Sequence, residues 1–540
     1  MIIDSCPVTA GADASPARDA FLIAKQLVDS AVPAMADVAA VEVSDVTLDE
    51  CTAMLQPCDG NGFRRAAFHS VFDPQGAYRI GHASHIRTGT PHRYSLRDMR
   101  PRVVPHVGPQ ARWLSCDPAR AARMRKNGVH SLMVVPLAFR HVVLGLAAFY
   151  RCDGSSPFGR ADLRAATQLA RKTARALDAV RRDLREQGMG RRLQHALISQ
   201  PPHLTAVEDV NGHVPENGAP GGWFDVISLP SARVGLVAGH CGGHGITAAA
   251  AMSQQKARIR ALAALDIDPA EVLSRSFGPS ADEPVRSATH ECAEGTPSSS
   301  EETHCVYAVY DPVTHRCTAA RTGAACVTVI DVHGDIRSAI PTAPAPIGAA
   351  SCDVSEFEAP PDSFLLLSSA AAQERHRNAP ANRAVPDGGG QAADSHRPAQ
   401  RVTPPVVLTV RTQAIAPTDV VTWDLPNDAP SVADARARTT AQLTSWDLLD
   451  LSFTAALVVS ELVTNAIRYS TGPIRLRLIR DHALICEVSD TSHAAPHAHE
   501  PAPSEQSGRG LSIVAHLTQA YGTRYTATGK IVWTELDLCS

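Results

Sequence analysis

Hydrophobic and polar positions in the first part of the chain predict helices around a β-rich centre. Residues 21–27 follow a helical pattern, whereas residues 131–139 and 142–150 are rich in β-branched and aromatic side chains. Arg140 and His141 separate the latter two stretches. The pattern therefore predicts a β-hairpin whose turn lies at Arg140 and His141.

A long helical pattern covers residues 160–185, with apolar residues at the heptad spacing of helices that pair with one another. One seam consists of Leu163, Ala170, Leu177 and Leu184, and the other of Ala166, Thr173 and Val180. The pattern favours a homodimer through helix 160–185, and packing of the helix on its own domain is the alternative. Gly188 and Gly190 predict a break in the helix, followed by a second helical stretch over residues 191–199.

Strand patterns dominate the middle of the chain. Residues 234–238, 305–310 and 364–367 predict strands, and residues 247–264 predict one helix. Two polar stretches interrupt this pattern. Residues 277–302 predict a surface loop, and residues 376–404, rich in Pro, Gly, Asn and Gln, predict a flexible linker.

The composition indicates a multidomain protein of ordinary globular type. A chain of 540 residues is too long for one hydrophobic core, so we expect about three domains. The net charge of −4 gives no reason to expect nucleic acid as a partner. The 13 Cys residues form no C-x-x-C pair, and we find neither a secretion signal nor an uninterrupted apolar run long enough to span a membrane. These features predict a cytoplasmic protein.

The C-terminal part carries a polar constellation suited to nucleotide chemistry. A predicted helix over residues 455–469 places Glu461 and Asn465 four residues apart, on one face. An amide oxygen suits Mg²⁺, and a carboxylate can take a proton from an attacking hydroxyl. Asp490 follows a predicted strand, where it can accept a hydrogen bond from an adenine amino group. Residues 508–514 then open a helix, whose backbone N–H groups and dipole favour phosphate.

These residues resemble, in order and spacing, the N, G1 and G2 boxes of the GHKL ATPases, and among them the anti-sigma-factor serine kinases. The resemblance covers residues 420–540 and includes residues 528–533. It implies that Glu461 is the general base, Asn465 the Mg²⁺ ligand and Asp490 the adenine reader. It assigns the phosphate contact of ATP to the cofactor-binding residues Gly508, Arg509, Gly510 and Leu511. The family prefers Gly where this chain has Ser492, a difference that bears on tight adenine binding.

Residues 190–375 resemble the SpoIIE-like branch of the PPM-type phosphatases, through residues 193–194, 221–226, 243–245 and 364–367. That family uses carboxylates to hold two metal ions that activate a water molecule. At the three acidic positions of the family this chain has Gly222, His240 and Ala370 instead, which leaves Asp225 as the remaining acid nearby. Since hard divalent cations need charged oxygen ligands, we predict a degenerate, inactive phosphatase domain.

The predicted hairpin and the helix that follows it resemble the end of a GAF domain, most clearly over residues 128–137. Such domains bind small ligands under a curved sheet, and the sequence does not name the ligand here. The chain is therefore expected to be a multidomain α+β protein with four segments. They are a GAF-like α/β sensor at 15–185, a PPM-type β-sandwich flanked by helices at 190–375, a linker at 376–404 and a GHKL α/β sandwich at 405–540.

This architecture implies a bacterial signalling regulator. By resemblance, the GHKL domain is a serine/threonine protein kinase acting with ATP and Mg²⁺ on an anti-sigma-factor antagonist, or an ATP-dependent binder of that protein or of a sigma factor. Two alternatives stay open at this point. One is an active metal-dependent protein serine/threonine phosphatase, and the other is a binding module in which ATP only sets the affinity for a partner.

Overall fold

The computed structural model divides the chain into two compact units, Met1–Met189 and Gly190–Ser540. The residues that it describes are 16–48, 62–72, 78–108, 111–198, 200–215, 221–243, 245–277, 303–340, 352–370, 405–494 and 510–538. The predicted loop at 277–302, apart from residue 277, and the predicted linker at 376–404 fall outside these ranges. Gly508 and Arg509 also lie outside them.

The first unit contains a five-stranded antiparallel sheet in the order β2-β1-β5-β4-β3. Its strands are β1 Val38–Ser44, β2 Phe63–Ser70, β3 Arg102–Val104, β4 Val129–Phe139 and β5 Val142–Cys152. Its helices are α1 Pro16–Ala31, α2 Asp45–Leu48, α3 Pro91–Asp98, α4 Pro118–Lys126 and α5 Arg160–Leu197, with a short 3₁₀ helix at Arg112–Cys116. The helices α1 and α5 pack on one face of the sheet, while α3 and α4 cover the other.

The predicted hairpin is confirmed. The strands β4 and β5 pair along their length, and Arg140 and His141 both adopt positive φ angles of 47° and 65°. Such angles at both central residues give a two-residue turn whose twist matches that of the strands.

The predicted break at Gly188 and Gly190 is wrong, because α5 runs without interruption from Arg160 to Leu197. A glycine inside a helix costs roughly 1 kcal/mol relative to alanine, which packing of the rest of the helix can offset. The seam residues Ala166, Ala170 and Leu177 are buried in the core of the first unit. The helix thus packs on its own domain, the alternative left open above, and pairing between subunits stays a prediction.

The middle domain is a sandwich of two five-stranded antiparallel sheets, in the orders β13-β10-β9-β8-β7 and β12-β11-β14-β15-β6. Their strands are β6 Val207–His213, β7 Gly222–Ser228, β8 Val234–His240, β9 His304–Asp311, β10 Arg316–Thr322, β11 Cys326–Ile330, β12 Ile336–Ser338, β13 Asp353–Glu358, β14 Phe364–Ser368 and β15 Val407–Thr412. Apolar side chains from both sheets form one core between them. The helices α6 Gly245–Ala263 and α7 Pro269–Phe277 pack on the outer face of the first sheet.

The domain boundary predicted at residue 405 assigns one strand, β15, to the C-terminal domain instead of the middle domain. Strand β15 pairs with β14 on one side and with β6 on the other, so it belongs to the middle sandwich. Its pairing partners lie far away in the sequence, and a local pattern of apolar residues does not reveal such partners. The C-terminal domain therefore begins after β15.

The C-terminal domain has two layers, a sheet in the order β16-β17-β18-β20-β19 and helices on one of its faces. The strands are β16 Val420–Leu425, β17 Ile474–Arg480, β18 Ala483–Asp490, β19 Ala520–Thr526 and β20 Gly529–Asp537. The helices are α8 Pro430–Ser445, α9 Ser452–Tyr469 and α10 Gly510–Leu517, with 3₁₀ turns at Pro417–Asp419 and Leu449–Leu451. The multidomain α+β class predicted from the sequence is confirmed.

Within the second unit, the sheet of the C-terminal domain packs on the middle domain with the face that carries no helices. Ile479 of β17 and Ile485 of β18 are fully buried there, in a cluster with Ala232 and Ile415. Arg524 of β19 donates to Asp266 (3.4 Å), and the Ser231 N–H donates to Glu535 (3.3 Å). The contact thus combines an apolar centre with charged and polar groups.

Candidate functional site

Helix α9 presents its two predicted site residues on the side that faces away from the deepest core. Val458, Leu462, Val463 and Ala466 of α9 are buried against the sheet. Glu461 and Asn465 are half-buried, one helical turn apart. The amphipathic pattern thus fixes the orientation of the helix and leaves the carboxylate and the carboxamide at its margin.

Gly510, the first residue of α10, lies directly against Glu461. A Cβ atom added to Gly510 would stand 2.5 Å from Glu461 Oε2, closer than real side chains approach. The fold thus packs the Glu461 carboxylate against the backbone of Gly510, and a side chain at position 510 would have to displace that carboxylate. This contact brings the carboxylate of the predicted N box to the first turn of the helix that the predicted phosphate loop opens, with Leu511 half-buried as its next residue.

Asp490, at the end of β18, is only 6% exposed and its carboxylate already accepts two hydrogen bonds. The backbone N–H of Ser492 donates to Asp490 Oδ1 at 2.7 Å, and Lys530 Nζ donates to the same oxygen at 3.0 Å. Lys530 is itself buried, and it also donates to the carbonyl oxygen of Ser492 at 3.2 Å. The group predicted to read adenine is thus paired with a cation of the chain itself.

Hydrogen bonds tie the end of α9 to the segment after Asp490. Ser470 Oγ and Thr491 Oγ1 are 2.9 Å apart, and the Thr491 N–H donates to Ser470 Oγ at 3.3 Å. Asn427 Nδ2 donates to the carbonyl oxygens of Ser470 (2.7 Å) and Gly472 (3.1 Å). These hydrogen bonds connect the end of α9, which carries the predicted N box, to the segment that follows Asp490 of the predicted G1 box.

A pocket with a volume of about 410 Å³ includes Asp490 and Lys530 in its lining and extends over the sheet face that carries no helices, opposite α9. Arg475, Arg477 and Glu487 also line it. Its volume lies within the range of roughly 300–1,000 Å³ that is typical of small-molecule sites. The pair is therefore next to space that a small molecule can occupy.

In the middle domain, the three positions at which the acids are replaced come together at one end of the sandwich. Gly222 of β7 and His240 of β8 are directly paired residues. A Cβ atom added to Gly222 would stand 2.5 Å from Val406, whose N–H donates to Ser369 Oγ at 3.0 Å, next to Ala370. The fold thus brings these three positions near one another, and none of them carries a carboxylate.

Asp225 does not replace the missing ligands. Its side chain lies on the helical face of the sheet, where Arg260 Nη2 donates to Oδ1 at 2.7 Å and Lys256 Nζ lies 3.8 Å away. Because side chains alternate along a strand, Asp225 and Gly222 project from opposite faces. Within the described ranges, no group of three or more His, Cys, Asp or Glu residues could hold a metal ion.

Family models match three successive regions of the chain. The GAF domain model matches residues 33–177. The model for stage II sporulation protein E (SpoIIE) matches residues 230–419, and the model for the histidine kinase-like ATPase domain matches residues 425–535.

The chain carries a GAF domain, a SpoIIE domain and a histidine kinase-like ATPase domain, in that order. The family assignments made from the sequence are thereby confirmed. The end of the SpoIIE match at residue 419 agrees with the position of β15 in the middle sandwich. This set of domains fits a bacterial signalling regulator of the partner-switching type.

Solved structures similar to the chain include the RsbU and RsbW domains of Rv1364c from Mycobacterium tuberculosis, with 16% identity and a TM-score of 0.29. That match covers 62% of this chain and 95% of the other. The GAF-B domain of DevS from Mycobacterium smegmatis is 15% identical, with a TM-score of 0.22, over 30% of this chain and 94% of the other. A GAF domain/HD domain protein from Geobacter sulfurreducens is 16% identical, with a TM-score of 0.23, over 30% and 95%. No curated protein matches the sequence.

One segment in the described part of the chain, Leu449–Tyr469, is long and apolar enough to cross a membrane by length and composition alone. It contains α9, whose apolar side chains form the core of the ATPase domain and which carries Glu461 and Asn465. Burial in that core accounts for its apolar character.

Reasoning from the sequence missed the role of Lys530. The residue lies in the stretch 528–533 that carries part of the family resemblance, yet nothing in its local pattern marks it as a partner of Asp490. The two residues are separated by 40 positions and meet because β18 and β20 pair in register. A correct prediction that β18 pairs with β20, together with the register of the pair, would have placed Lys530 opposite Asp490.

Proposed function

We propose that the chain is a cytoplasmic bacterial signalling regulator whose ATPase domain binds ATP and phosphorylates a serine or threonine of a protein partner. The proposed partner is an anti-sigma-factor antagonist, and the runner-up is a sigma factor bound in an ATP-dependent way. The observation that carries the proposal is the contact between Glu461 Oε2 and Gly510. This contact places Glu461, the candidate general base, at the N-terminus of α10, which is suited to bind phosphate.

Each residue of the site has a chemical task that fits its type. Glu461, half-buried beside Gly510, would accept the proton of the attacking hydroxyl group. The backbone N–H groups of residues 508–511 would bind phosphate oxygens. The carboxylate of Asp490 would face the adenine base of the nucleotide. Asn465 offers a neutral oxygen to Mg²⁺, which when bound neutralises phosphate charge.

We further propose that the SpoIIE domain is a catalytically inactive scaffold. Its two-sheet core and flanking helices are complete, but Gly222, His240 and Ala370 supply no charged oxygen ligand. Asp225 is engaged with Arg260 instead. A hard divalent cation would therefore lack the carboxylates that normally hold it.

A second candidate function is a binding module in which ATP sets the affinity for a partner without phosphoryl transfer. The ion pair between Asp490 and Lys530 favours this candidate. The ammonium group and the Ser492 N–H both donate to Asp490 Oδ1, so they would compete with an adenine amino group for this carboxylate. Such competition would weaken nucleotide binding and slow turnover.

The experiment that separates these candidates uses the full chain with Mg²⁺ and γ-labelled ATP, together with proteins that co-purify with it and with phosphosite mapping. We expect Glu461→Gln to retain ATP binding and to lose labelling of the partner. Asp434→Asn, which makes the same chemical change at an exposed position on α8, should leave both unchanged. If no partner is labelled by the unaltered protein, the binding module is the correct function.

Phosphatase activity is tested separately with Mn²⁺ and p-nitrophenyl phosphate. We expect no turnover above the rate without protein. Turnover that disappears when residues 200–412, through the end of β15, are removed would show that the SpoIIE domain is active and would contradict the scaffold proposal.

A further inference from the structure

The ATPase domain has a pocket on the sheet face that carries no helices, and we call it the outer-face pocket. Its volume is about 410 Å³. Side chains of β17, β18 and β20 line it, among them Arg475, Arg477, Glu487, Ser489 and Ile531, with Asp490 and Lys530 at one end. A volume of this size is typical of sites for small molecules, so the pocket has room for an organic metabolite.

The outer-face pocket lies on the opposite side of the sheet from the candidate general base. Leu476 of β17 and Cys486 of β18 are buried in the core beneath the helices. Because side chains alternate along a strand, the next residues, Arg477 and Glu487, project from the other face. Glu461 lies on α9, which packs on the helical face. The pocket is therefore distinct from the place proposed for the phosphates of a nucleotide.

Glu487 is almost completely buried, and two arginines share its carboxylate. Arg477 Nη1 donates to Glu487 Oε2 at 3.2 Å, and Arg524 Nη2 donates to Glu487 Oε1 at 3.0 Å. Arg524 also donates to Asp266 of the SpoIIE domain at 3.4 Å. Both oxygens of Glu487 are thus engaged by cations of the chain itself, and the contact with the SpoIIE domain helps to fix the carboxylate that holds Arg477.

Arg477 keeps a donor that the protein itself does not use. Its Nε atom is buried and has no hydrogen-bond partner. A buried donor without a partner is costly and calls for an explanation. An acceptor atom inside the outer-face pocket would provide the missing partner. The unmet requirement of this site is therefore for an acceptor, which favours an oxyanion over a cation.

The two other cations of the pocket are paired, and they differ in how firmly they are held. Lys530 donates to Asp490 at 3.0 Å, and both side chains are buried. Arg475 Nε donates to Asp424 at 2.8 Å, but these side chains are 54% and 73% exposed. An exposed ion pair contributes little free energy, so Arg475 can turn to a ligand at low cost. Arg475 can thus add a second guanidinium group next to Arg477.

We propose that the outer-face pocket binds a small organic oxyanion, a metabolite that carries a carboxylate or a phosphate group. Arg477 Nε and the guanidinium group of Arg475 donate to its oxygens, since planar guanidinium donors match carboxylates and phosphates. The hydroxyl groups of Ser489 and Thr526 face the rest of the metabolite. This binding goes beyond the proposed kinase activity and does not depend on it.

The test measures how a bound anion protects Arg475 of the full chain from phenylglyoxal, a reagent that modifies accessible arginine side chains. Peptide mass spectrometry follows Arg475 and, in the same sample, the exposed Arg436 of α8 as an internal control. Citrate and glucose 6-phosphate are the probes, glucose is the uncharged counterpart of the second probe, and chloride at equal ionic strength controls for salt. At roughly ten times the Kd of a probe, we expect modification of Arg475 to slow by about tenfold and that of Arg436 to stay unchanged.

Two substitutions and one control locate the protection. Ser489→Phe fills the pocket and leaves every charge in place, so it should abolish the protection. Arg477→Gln removes the guanidinium donors and should raise the Kd of the probe by about tenfold or more, because a hydrogen bond to a charged group contributes at least that factor. Ser445→Phe, the same change at an exposed position at the end of α8, should retain full protection.

The outcomes decide the proposal in each case. Protection by citrate alone assigns the site to carboxylates, and protection by glucose 6-phosphate alone assigns it to phosphates. Equal protection by chloride or by glucose, protection that survives in Ser489→Phe, or no protection by either probe would each overturn the proposal. If Arg477→Gln fails to fold, Ser489→Phe decides the outcome. Because the probes are used without nucleotide, a failure of the chain to bind ATP would contradict the proposed kinase activity and leave this test unaffected.

Discussion

Lys530 donates to Oδ1 of the Asp490 carboxylate, the group proposed to accept from an adenine amino group, and both side chains are almost completely buried. We predict that Lys530→Thr strengthens ATP binding, with Kd falling by about tenfold, because a hydrogen bond to a charged group contributes roughly 1.5–3 kcal/mol. Isothermal titration of the full chain measures the change.

The same substitution should destabilise the nucleotide-free ATPase domain, since it leaves Asp490 buried without its cation, a loss on the order of 3 kcal/mol. Lys530→Arg keeps a cation at this position and is the matched control. Weaker ATP binding by Lys530→Thr would mean that the ammonium group serves the nucleotide rather than competing with it.

Asp225 illustrates how a single acid can be misread from the sequence alone. Its position near Gly222 makes it the remaining candidate ligand, but its carboxylate is buried and bound to Arg260. We predict that Asp225→Asn lowers the free energy of unfolding by about 2 kcal/mol, because it removes the charge of a buried carboxylate that accepts hydrogen bonds from the partly exposed Arg260.

The same variant should show no change in Mn²⁺-dependent hydrolysis of p-nitrophenyl phosphate. Denaturant unfolding and the phosphatase assay check the two halves of this prediction. Asp434→Asn, which alters an exposed pair on α8, is the control for unfolding. A metal-dependent loss of activity in Asp225→Asn would assign the residue to a metal site.

At the scale of elements, β17 and β18 carry the contact between the ATPase domain and the SpoIIE domain. His482, in the turn between them, lies 2.8 Å from Asp481 and 3.8 Å from Glu535. Both carboxylates also accept hydrogen bonds from the SpoIIE domain, Asp481 from Thr205 and Glu535 from the Ser231 N–H. The hydrogen bond with Asp481, followed by the interaction with the Glu535 carboxylate, raises the pKa of His482 to about 10.

This raised pKa predicts a pH dependence of stability. The folded chain keeps the proton on His482 at pH values where the unfolded chain, with a usual pKa near 6.5, has released it. The contribution of protonated His482 to the free energy of unfolding is therefore complete below pH ~6.5, and it is lost as the pH rises toward ~10. Because the ring is 47% exposed, solvent screening makes the effect smaller than the shift alone implies.

We expect the free energy of unfolding to fall between pH 7 and 9 by less in His482→Gln than in the unaltered chain. Denaturant melts at several pH values measure it, and the difference between the two proteins removes the contributions of other titrating groups. His493→Gln, at an exposed position outside this contact, is the matched control. Identical pH profiles for the unaltered protein and His482→Gln would contradict the prediction.

The sequence predicted individual elements better than their pairing. The hairpin β4–β5, the strands β8, β9 and β14, and the helices α6 and α9 follow from local apolar patterns, and each is confirmed. Strand β15 was assigned to the wrong domain because its partners β14 and β6 are distant in the sequence. Gly188 and Gly190 did not end α5, because a local cost of about 1 kcal/mol per glycine is smaller than the gain from packing a long helix.

The residues of the candidate site divide in the same way, into positions that local patterns predict and pairings that they do not predict. The positions of Glu461, Asn465 and Asp490 follow from helix and strand periodicity together with a family resemblance, and the structure places Glu461 against Gly510. The pairing of Asp490 with Lys530 and of Asp225 with Arg260 could not be predicted, because each depends on which faces of distant elements meet. Tertiary pairing decides whether an acid is available for chemistry or already neutralised.

At the scale of the whole molecule, the two domains of the second unit share a surface that neither could leave exposed without cost. Ile479 and Ile485 are fully buried in the cluster with Ala232 and Ile415 of the SpoIIE domain. Burial of each isoleucine is worth roughly 1.5–3 kcal/mol. The SpoIIE domain thus has a structural task, since it covers the free face of the ATPase sheet.

This task can be measured by comparing one substitution in two contexts. In the full chain, Ile485→Ala should cost about 2–4 kcal/mol of unfolding free energy, because it opens a cavity between the domains. In a fragment of residues 416–540, which lacks the SpoIIE domain and Ile415, the same change should cost less than 1 kcal/mol, since Ile485 is then exposed. Leu484→Ala is the matched control, because Leu484 lies in the core beneath the helices and should cost the same in both proteins. Equal costs for Ile485→Ala in the two contexts would show that the sheet face is not covered by the SpoIIE domain in solution.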